Sequence, residues 1–275
     1  MRALLYANRD YKAREILGWV ETLGRHLPLA VTIQTAVPAE PAETEAVRLL
    51  ESEIAARGTV RSVAVRKRSG SPEEIIAAET REGDYGIVLV APAGRHGFIR
   101  LFYGSMVAHV VQRVSTSVLV VRGGRMVPPR RVLVCVSGAR HSLTTVSVAA
   151  QMAGLFGAEL DLLLVLSQVG IGIGGGKPWE RDAGSFMESD DPLARHMKIA
   201  AEMSERMGCP ARIRIRQGLV SEEILREAEE GGGDLLVVGT HRAEDFDTVY
   251  EDLTNELVRS SPVSTLVVGL RAELL

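Results

Sequence analysis

The feature that most constrains the fold of this chain is an alternation of short apolar runs with amphipathic segments. In the first half, five apolar runs alternate with four segments whose apolar residues recur at helical spacing. Parallel strands need crossover connections, which helices usually provide, so this order predicts a mainly parallel sheet with helices on both faces. The five runs are 3–7, 29–37, 62–66, 87–91 and 118–121.

The same order of elements begins again at 132–136 and ends at 265–268. The segment between the two halves has paired glycines and paired prolines at 123–129, which continue neither a helix nor a strand. Residues 66–76 are similar to 214–225 with one inserted residue, which supports a tandem duplication.

We therefore predict two tandem doubly wound parallel five-stranded sheets with helices on both faces, a Rossmann-like α/β fold. Domain 1 is expected at 1–124, a linker at 125–130 and domain 2 at 131–275. The last run of each half would leave an unpaired sheet edge, and pairing the two runs would remove both edges. We expect the halves to pack through these strands as an intramolecular pseudo-dimer, and a further homodimer stays open.

Length, net charge and cysteine content exclude several classes of function for this chain. With 275 residues, 46% of them hydrophobic, the chain is long enough for two ordinary cores. Its formal net charge of -3 gives no electrostatic reason to expect nucleic acid or an anionic membrane as a partner. Cys135 and Cys209 make neither a disulfide framework nor a zinc site, and no apolar run approaches the roughly 18 residues of a membrane-spanning helix. We expect a soluble cytoplasmic protein.

The loop after the fourth apolar run combines glycines with basic side chains. Gly94 and Gly97 allow backbone amides to turn towards an anion, and Gly104 with Ser105 stands where the next helix begins. Arg95 adds a guanidinium that binds phosphate through two hydrogen bonds. The same residues also suit a tight strand-to-helix turn capped by serine. The residues alone leave a phosphate site and a plain loop as equal alternatives.

The spacing of this loop is similar to a known signature. Gly94-x-x-Gly97, six residues and Gly104-Ser105, followed by a valine-rich helix, resembles the nucleotide loop of the universal stress protein family. The second half also resembles that family, in the segments 131–138 and 234–241, which are similar to its first and fourth strands. The chain is therefore identified as a tandem member, which implies a stress-response protein with a binding or regulatory role.

The resemblance also implies a ligand, an adenine nucleotide in domain 1, with ATP and Mg²⁺ as the cofactors. The ATP-binding branch of the family usually has a longer spacing before the Gly-Ser pair than the six residues found here. It also ends its first strand with an aspartate, where this chain has Asn8 in the first half and Ser137 in the second. The implied nucleotide-binding residues are Asn8, Ala91, Gly94, Arg95, Gly97, Gly104 and Ser105.

The matching loop of the second half, 241–252, has lost its glycines and carries five carboxylates. Like charges about 4 Å apart repel by roughly 4 kcal/mol at an effective dielectric of about 20. We therefore predict that this half does not bind ATP, and that one chain takes at most one nucleotide. The carboxylates are Glu244, Asp245, Asp247, Glu251 and Asp252, the last two standing where Gly104 and Ser105 stand in the first half.

No catalytic set or metal pair can be assigned from the sequence. His196 with the acids at 188–191 is a conceivable metal cluster, but His196 also lies beside an apolar stripe, and packing at the edge of the core is favoured. The glycine-rich run 170–177 lacks the P-loop spacing and is predicted to be a flexible loop. The adjoining segment 177–191 is expected to be disordered, with a lid or a partner-binding role as alternatives.

Three functional hypotheses follow. The leading one is a binding or regulatory protein in which nucleotide occupancy of domain 1 acts as a signal. The alternative from the enzyme class is a slow ATPase that uses the loop 94–105, with Arg95 or Arg100 stabilising the phosphates. Magnesium-dependent turnover that is lost on substitution of Gly104 would identify it. The third is a nucleotide-free scaffold that binds a protein or an apolar ligand.

Overall fold

The computed structural model describes residues 1–7, 13–91, 106–123, 127–138, 142–167, 183–240 and 248–269. The chain divides into two compact units. Unit 1 consists of Met1–Pro128 with Ser264–Leu275, and unit 2 consists of Pro129–Val263. These units are sets of contacting residues, so the bounds of the two domains inferred from the sequence stay predictions.

Unit 1 is built on a sheet with the strand order β3-β2-β1-β4-β5-β10. The first five strands run parallel, and β10 pairs antiparallel with β5. The elements are β1 Arg2–Tyr6, α1 Ala13–His26, β2 Ala30–Ala36, α2 Pro41–Ala56, β3 Ser62–Arg68, α3 Pro72–Glu82, β4 Ile87–Val90, α4 at 106–113, β5 Ser117–Val120 and β10 Ser264–Val268.

Burial along the strands of unit 1 explains the apolar runs. Every residue of β4 and β5 is buried, as expected for strands covered by helices on both faces. The edge strand β3 alternates between exposed and half-buried residues instead. The helix α1 packs its apolar stripe inward, with Ile16, Trp19 and Leu23 no more than 1% exposed.

Unit 2 has the parallel strand order β9-β6-β7-β8. Its elements are β6 Arg131–Cys135, α5 Ser142–Phe156, β7 Glu159–Ser167, α6 Ala183–Glu188, α7 Pro192–Arg206, β8 Ala211–Gly218, α8 Val220–Glu230, β9 Leu235–Gly239 and α9 Thr248–Ser260. With β10 of unit 1 as its last strand, the second repeat follows the same order of elements as the first, except that α6 is added before α7. The prediction of a tandem Rossmann-like fold is confirmed.

The strands that end the two repeats, β5 and β10, lie side by side. Val118 pairs with Val267 and Val120 pairs with Thr265. The Ser264 hydroxyl accepts a hydrogen bond from the Arg122 backbone amide at 3.0 Å. The pairing of these two strands, which the exposed-edge argument predicted, is therefore present in unit 1.

The register between the repeats differs from the one predicted from sequence similarity. Helices α3 and α8 have the same length, and each begins four residues after a register-equivalent arginine, Arg68 in β3 and Arg216 in β8, so no residue is inserted. The glycine two residues before each helix has positive φ, 133° at Gly70 and 155° at Gly218, in the region that favours glycine. The prediction of an inserted residue was wrong, and Glu79 of α3 and Glu227 of α8 occupy equivalent positions in the two repeats.

The segment 177–191 was predicted to be disordered, and this is wrong for its described part, 183–191. Residues Ala183–Glu188 form α6, and Phe186 is 1% exposed. Asp191 then caps α7, because its side chain accepts a hydrogen bond from the Leu193 amide at 2.9 Å. Burial of one aromatic side chain and a good helix cap together order this segment.

Candidate ligand site at the carboxyl edge of unit 1

The carboxyl ends of the parallel strands define where a ligand site belongs in unit 1. The strand order reverses between β1 and β4, because the chain proceeds from β1 to β2 on one side and later places β4 on the other. In open α/β sheets, ligands bind outside the carboxyl ends of the strands at such a switch point. The ends of β1 and β2 are tied together there by the Ala7 amide, which donates to the Gln34 carbonyl at 3.0 Å.

Ala91 is the residue of the predicted site that the structure describes. It follows directly after β4 and is 9% exposed, so it lies at the carboxyl edge next to the switch point. The other predicted residues lie outside the described part of the chain: Asn8, Gly94, Arg95, Gly97, Gly104 and Ser105. Their proximity to Ala91 stays a prediction.

The helix predicted after Gly104-Ser105 is present as α4. Its residues Val107, Val110 and Val111 are 4% exposed or less, and they form the buried stripe that the sequence indicated. Because α4 connects two parallel neighbours, β4 and β5, it runs opposite to them and directs its amino end to their carboxyl edge. The amides of its first turn, which have no partner within the helix, and the positive end of the helix dipole therefore lie at the same edge as Ala91.

Sequence reasoning missed Gln34, which ends the apolar part of β2. Its side chain is fully buried, at 0% exposure, and its register partner on β1 is Tyr6. The Nε2 amide donates to the Thr35 carbonyl at 3.2 Å, whereas Oε1 has no hydrogen-bond partner among the described residues. The only sequence signal was an amide inside the apolar run 29–37.

A buried ionic cluster lies between β3 and α3. Glu79 is 1% exposed and accepts a hydrogen bond from the Tyr85 hydroxyl at 2.6 Å. Arg66 and Arg68 from β3 lie 3.4 and 3.6 Å from its carboxylate oxygens. The pKa of Tyr85 is raised, mainly by burial and secondly by the hydrogen bond to Glu79. The negative charge of Glu79 is balanced by the two arginines, so this cluster links α3 to the sheet. It offers no unpaired carboxylate for acid–base chemistry.

Unit 2 contains the register-equivalent cluster in an expanded form. Glu227 on α8 is 1% exposed and accepts from Arg216 Nε at 2.6 Å. A second buried acid, Asp161 on β7, accepts from Arg212 Nε at 2.9 Å and Arg214 Nε at 3.0 Å. These acids too are paired with arginines, which indicates a structural role.

At the carboxyl edge of unit 2, a serine and a histidine are hydrogen-bonded. The Ser142 hydroxyl donates to the Ser137 carbonyl at 2.7 Å and lies 2.6 Å from His196 Nε2. Because the single hydroxyl proton goes to Ser137, Nε2 of His196 is the donor to Ser142. A histidine that donates to a serine does not activate it as a nucleophile. His196 is half-buried beside the fully buried Met197, which matches the predicted packing at the edge of the core.

The predicted self-capping acids of unit 2 are only partly described. The backbone of Glu251 and Asp252 lies inside α9, which begins at Thr248, but their side chains fall outside the described residues, as do residues 241–247. Within the described part of the chain, no group of three or more His, Cys, Asp and Glu residues is arranged to hold a metal. None of the described helices is long and apolar enough to cross a membrane.

Comparison with solved structures shows the same architecture over the full length. A universal stress protein from Archaeoglobus fulgidus DSM 4304 is 16% identical, with a TM-score of 0.73, over 98% of this chain and 98% of its own. A functionally unknown protein from Pseudomonas aeruginosa PAO1 is 14% identical, with a TM-score of 0.70, over 97% of this chain and 92% of its own. The cytoplasmic domain of a prokaryotic cation chloride cotransporter is 10% identical, with a TM-score of 0.56, over 99% and 96%. At these identities the likenesses show the fold alone.

The repeated strand order and the carboxyl-edge site define a tandem doubly wound α/β protein. The model of the Universal stress protein family matches this chain twice, at residues 25–122 and 128–269. The chain therefore belongs to the universal stress protein family, as a tandem member. No curated protein matches it in sequence.

Proposed function

We propose that this protein is a binding and regulatory member of its family that takes one adenine nucleotide at the carboxyl edge of unit 1. The observation that carries the proposal is the convergence of Ala91 with the amino end of α4 at the switch point, because the glycine-rich segment joins these two elements. The nucleotide phosphates would accept hydrogen bonds from amides at Gly94, Gly97 and Gly104 and from Ser105. Arg95 would assist them, and Asn8 would lie nearer the nucleoside.

Mg²⁺ would accompany ATP at this site and neutralise part of the phosphate charge. The chain's own contribution is positioning and charge: the helix dipole of α4 and the Arg95 guanidinium both favour an anion. Occupancy of the site, rather than turnover, would be the signal, because the buried acids Glu79, Asp161 and Glu227 already accept hydrogen bonds, and His196 is hydrogen-bonded to Ser142.

The proposal restricts the nucleotide to unit 1. In unit 2 the position equivalent to Ala91 is Gly239, and a Cβ atom there would lie 2.6 Å from the Thr145 hydroxyl oxygen of α5. Helix α5 thus leaves no room for a Cβ atom at the end of β9, whereas Ala91 carries a Cβ atom at the equivalent position of unit 1. Together with the carboxylates of 241–252, this close approach supports a site that the protein fills itself.

Calorimetric titration of the full chain with Mg-ATP tests the proposal. The wild type is expected to bind about one ATP per chain. Gly104→Val should weaken binding about tenfold or more, because one charge-assisted hydrogen bond contributes about 1.5 to 3 kcal/mol. Gly154→Ala is the matched control, since Gly154 is an exposed helix residue with open space around it, and it should bind ATP like the wild type. Absence of heat at millimolar Mg-ATP would overturn the proposal, and binding of two ATP per chain would overturn its restriction to unit 1.

A further inference from the structure

Gln34 is a buried polar side chain whose acceptor oxygen is not used by any of the residues that the structure describes. Its carboxamide is 0% exposed, and Oε1 has no hydrogen-bond partner among the described residues. Most buried polar atoms in folded proteins are hydrogen-bonded, and an acceptor without a partner loses its hydration and receives nothing in return. Such a group in the core needs a physical reason.

The orientation of this carboxamide follows from its one hydrogen bond. Nε2 donates to the carbonyl of Thr35, the next residue towards the carboxyl end of β2, at 3.2 Å. Turning the amide over would bring Oε1 against that carbonyl oxygen, and two acceptors would then face each other. Oε1 is therefore held as an acceptor, and a group that pairs with it must be a donor.

Packing does not require an amide at this position. Gln34 is in register with Tyr6 on β1, and the equivalent pair in unit 2 is Leu163 with Cys135. Leu163 is 1% exposed, so the same fold buries an apolar side chain of similar size at the same place. The amide is thus present in the unit with the glycine-rich loop and replaced by leucine in the unit without it.

We propose that Gln34 is the residue that selects the base, with Oε1 accepting a hydrogen bond from the 6-amino group of adenine. This inference rests on the proposed function, because it places the base of the same nucleotide beside the end of β2. The Gln34 backbone carbonyl accepts a hydrogen bond from the Ala7 amide at 3.0 Å. Gln34 therefore lies beside the end of β1. A purine with oxygen at position 6 would present an acceptor to an acceptor and would be rejected.

The full burial of the carboxamide has a consequence for affinity. The base can reach Oε1 only when the residues that cover it move aside, which lowers the affinity for every purine nucleotide alike. The ratio of affinities for two purines of the same shape is not affected by this common cost. ATP and ITP are suitable probes, because they differ at position 6 of the base, which carries an amino group in one and an oxygen in the other.

The experiment measures Mg-ATP and Mg-ITP affinities for the full-length wild type, Gln34→Leu and Gln34→Met by calorimetry. The wild type is expected to prefer ATP by about tenfold, and both variants should bring the ratio close to one while still binding weakly. Thermal unfolding without nucleotide is the second readout. Both variants should melt at or above the wild-type temperature, because they remove a buried unpartnered acceptor.

The possible failures can be told apart. If the wild type prefers ATP and the variants keep that preference, the base is read elsewhere, and the role of Gln34 is refuted while the proposed function stands. If the wild type binds ATP and ITP equally, the inference also fails alone. If the wild type binds neither nucleotide, the proposed function fails, and this inference fails with it. A clear loss of thermal stability in both variants would show that the carboxamide serves the fold, which also refutes a role in ligand selection.

Discussion

Asp161 is the best-defined test of the ionic cluster in unit 2. Its side chain is 1% exposed, and two arginines donate to its two oxygens at 2.9 and 3.0 Å. We consider Asp161→Asn, which keeps the volume but removes the charge and directs an amide donor towards arginine donors. Removing one member of a fully buried ion pair costs about 3 to 5 kcal/mol. Because Arg212 and Arg214 are 50% and 34% exposed, water solvates part of their charge, and we expect about 2 to 3 kcal/mol.

The assay is urea unfolding followed by circular dichroism, with hydrogen exchange of the β7 and β8 amides to locate the effect in unit 2. A loss of about 2 to 3 kcal/mol corresponds to about 4 to 12 °C in melting temperature for a unit of this size. Glu159→Gln is the matched control, since Glu159 binds Arg131 and Arg212 but is 57% exposed. An exposed pair contributes about 0 to 1 kcal/mol.

Two results would refute this reasoning. If Asp161→Asn unfolds at the wild-type urea concentration, burial does not make this carboxylate important for stability. If Glu159→Gln costs as much as Asp161→Asn, the arginines are held by their charge alone, and the difference in exposure between the two acids has no energetic meaning.

Three further predictions concern two helix caps and a cysteine thiol. Ser71 and Glu74 form a capping box at α3, so Ser71→Ala should lower the free energy of unfolding by about 0.5 to 2 kcal/mol in urea titrations. The equivalent cap of α8 is Leu219, which is 58% exposed and has Glu222 three residues later, so Leu219→Ser should raise stability, by about 0.5 to 1 kcal/mol; a loss there would contradict the capping argument. Desolvation raises the pKa of Cys135 to about 12, although the residue is half-buried, so iodoacetamide at pH 8 should label it much more slowly in the native than in the unfolded protein; equal labelling rates would contradict the raised pKa.

The pattern of the sequence by itself determined the fold class, because each element carries its own local signal. Fully apolar runs such as 87–91 correspond to strands covered on both faces, and the valine stripe of α4 corresponds to a helix with one buried face. The paired glycines and prolines at 123–129 marked the division between the repeats for the same local reason. The position of the site edge also followed, since parallel strands place all their carboxyl ends together.

Tertiary structure decided what depends on contacts between residues far apart in the chain. The acceptor of Gln34 is unused because no donor from another described element reaches it, and a single amide in an apolar run does not reveal this. Phe186 is buried by tertiary packing, although the charged residues around it suggested disorder. Sequence similarity also predicted an insertion before α8, whereas in the sheet α3 and α8 begin equally far from the register-equivalent residues Arg68 and Arg216. Local propensity involves neighbours within about one turn or strand, but hydrogen-bond satisfaction and burial involve the whole fold, and these two properties are what the sequence alone could not supply.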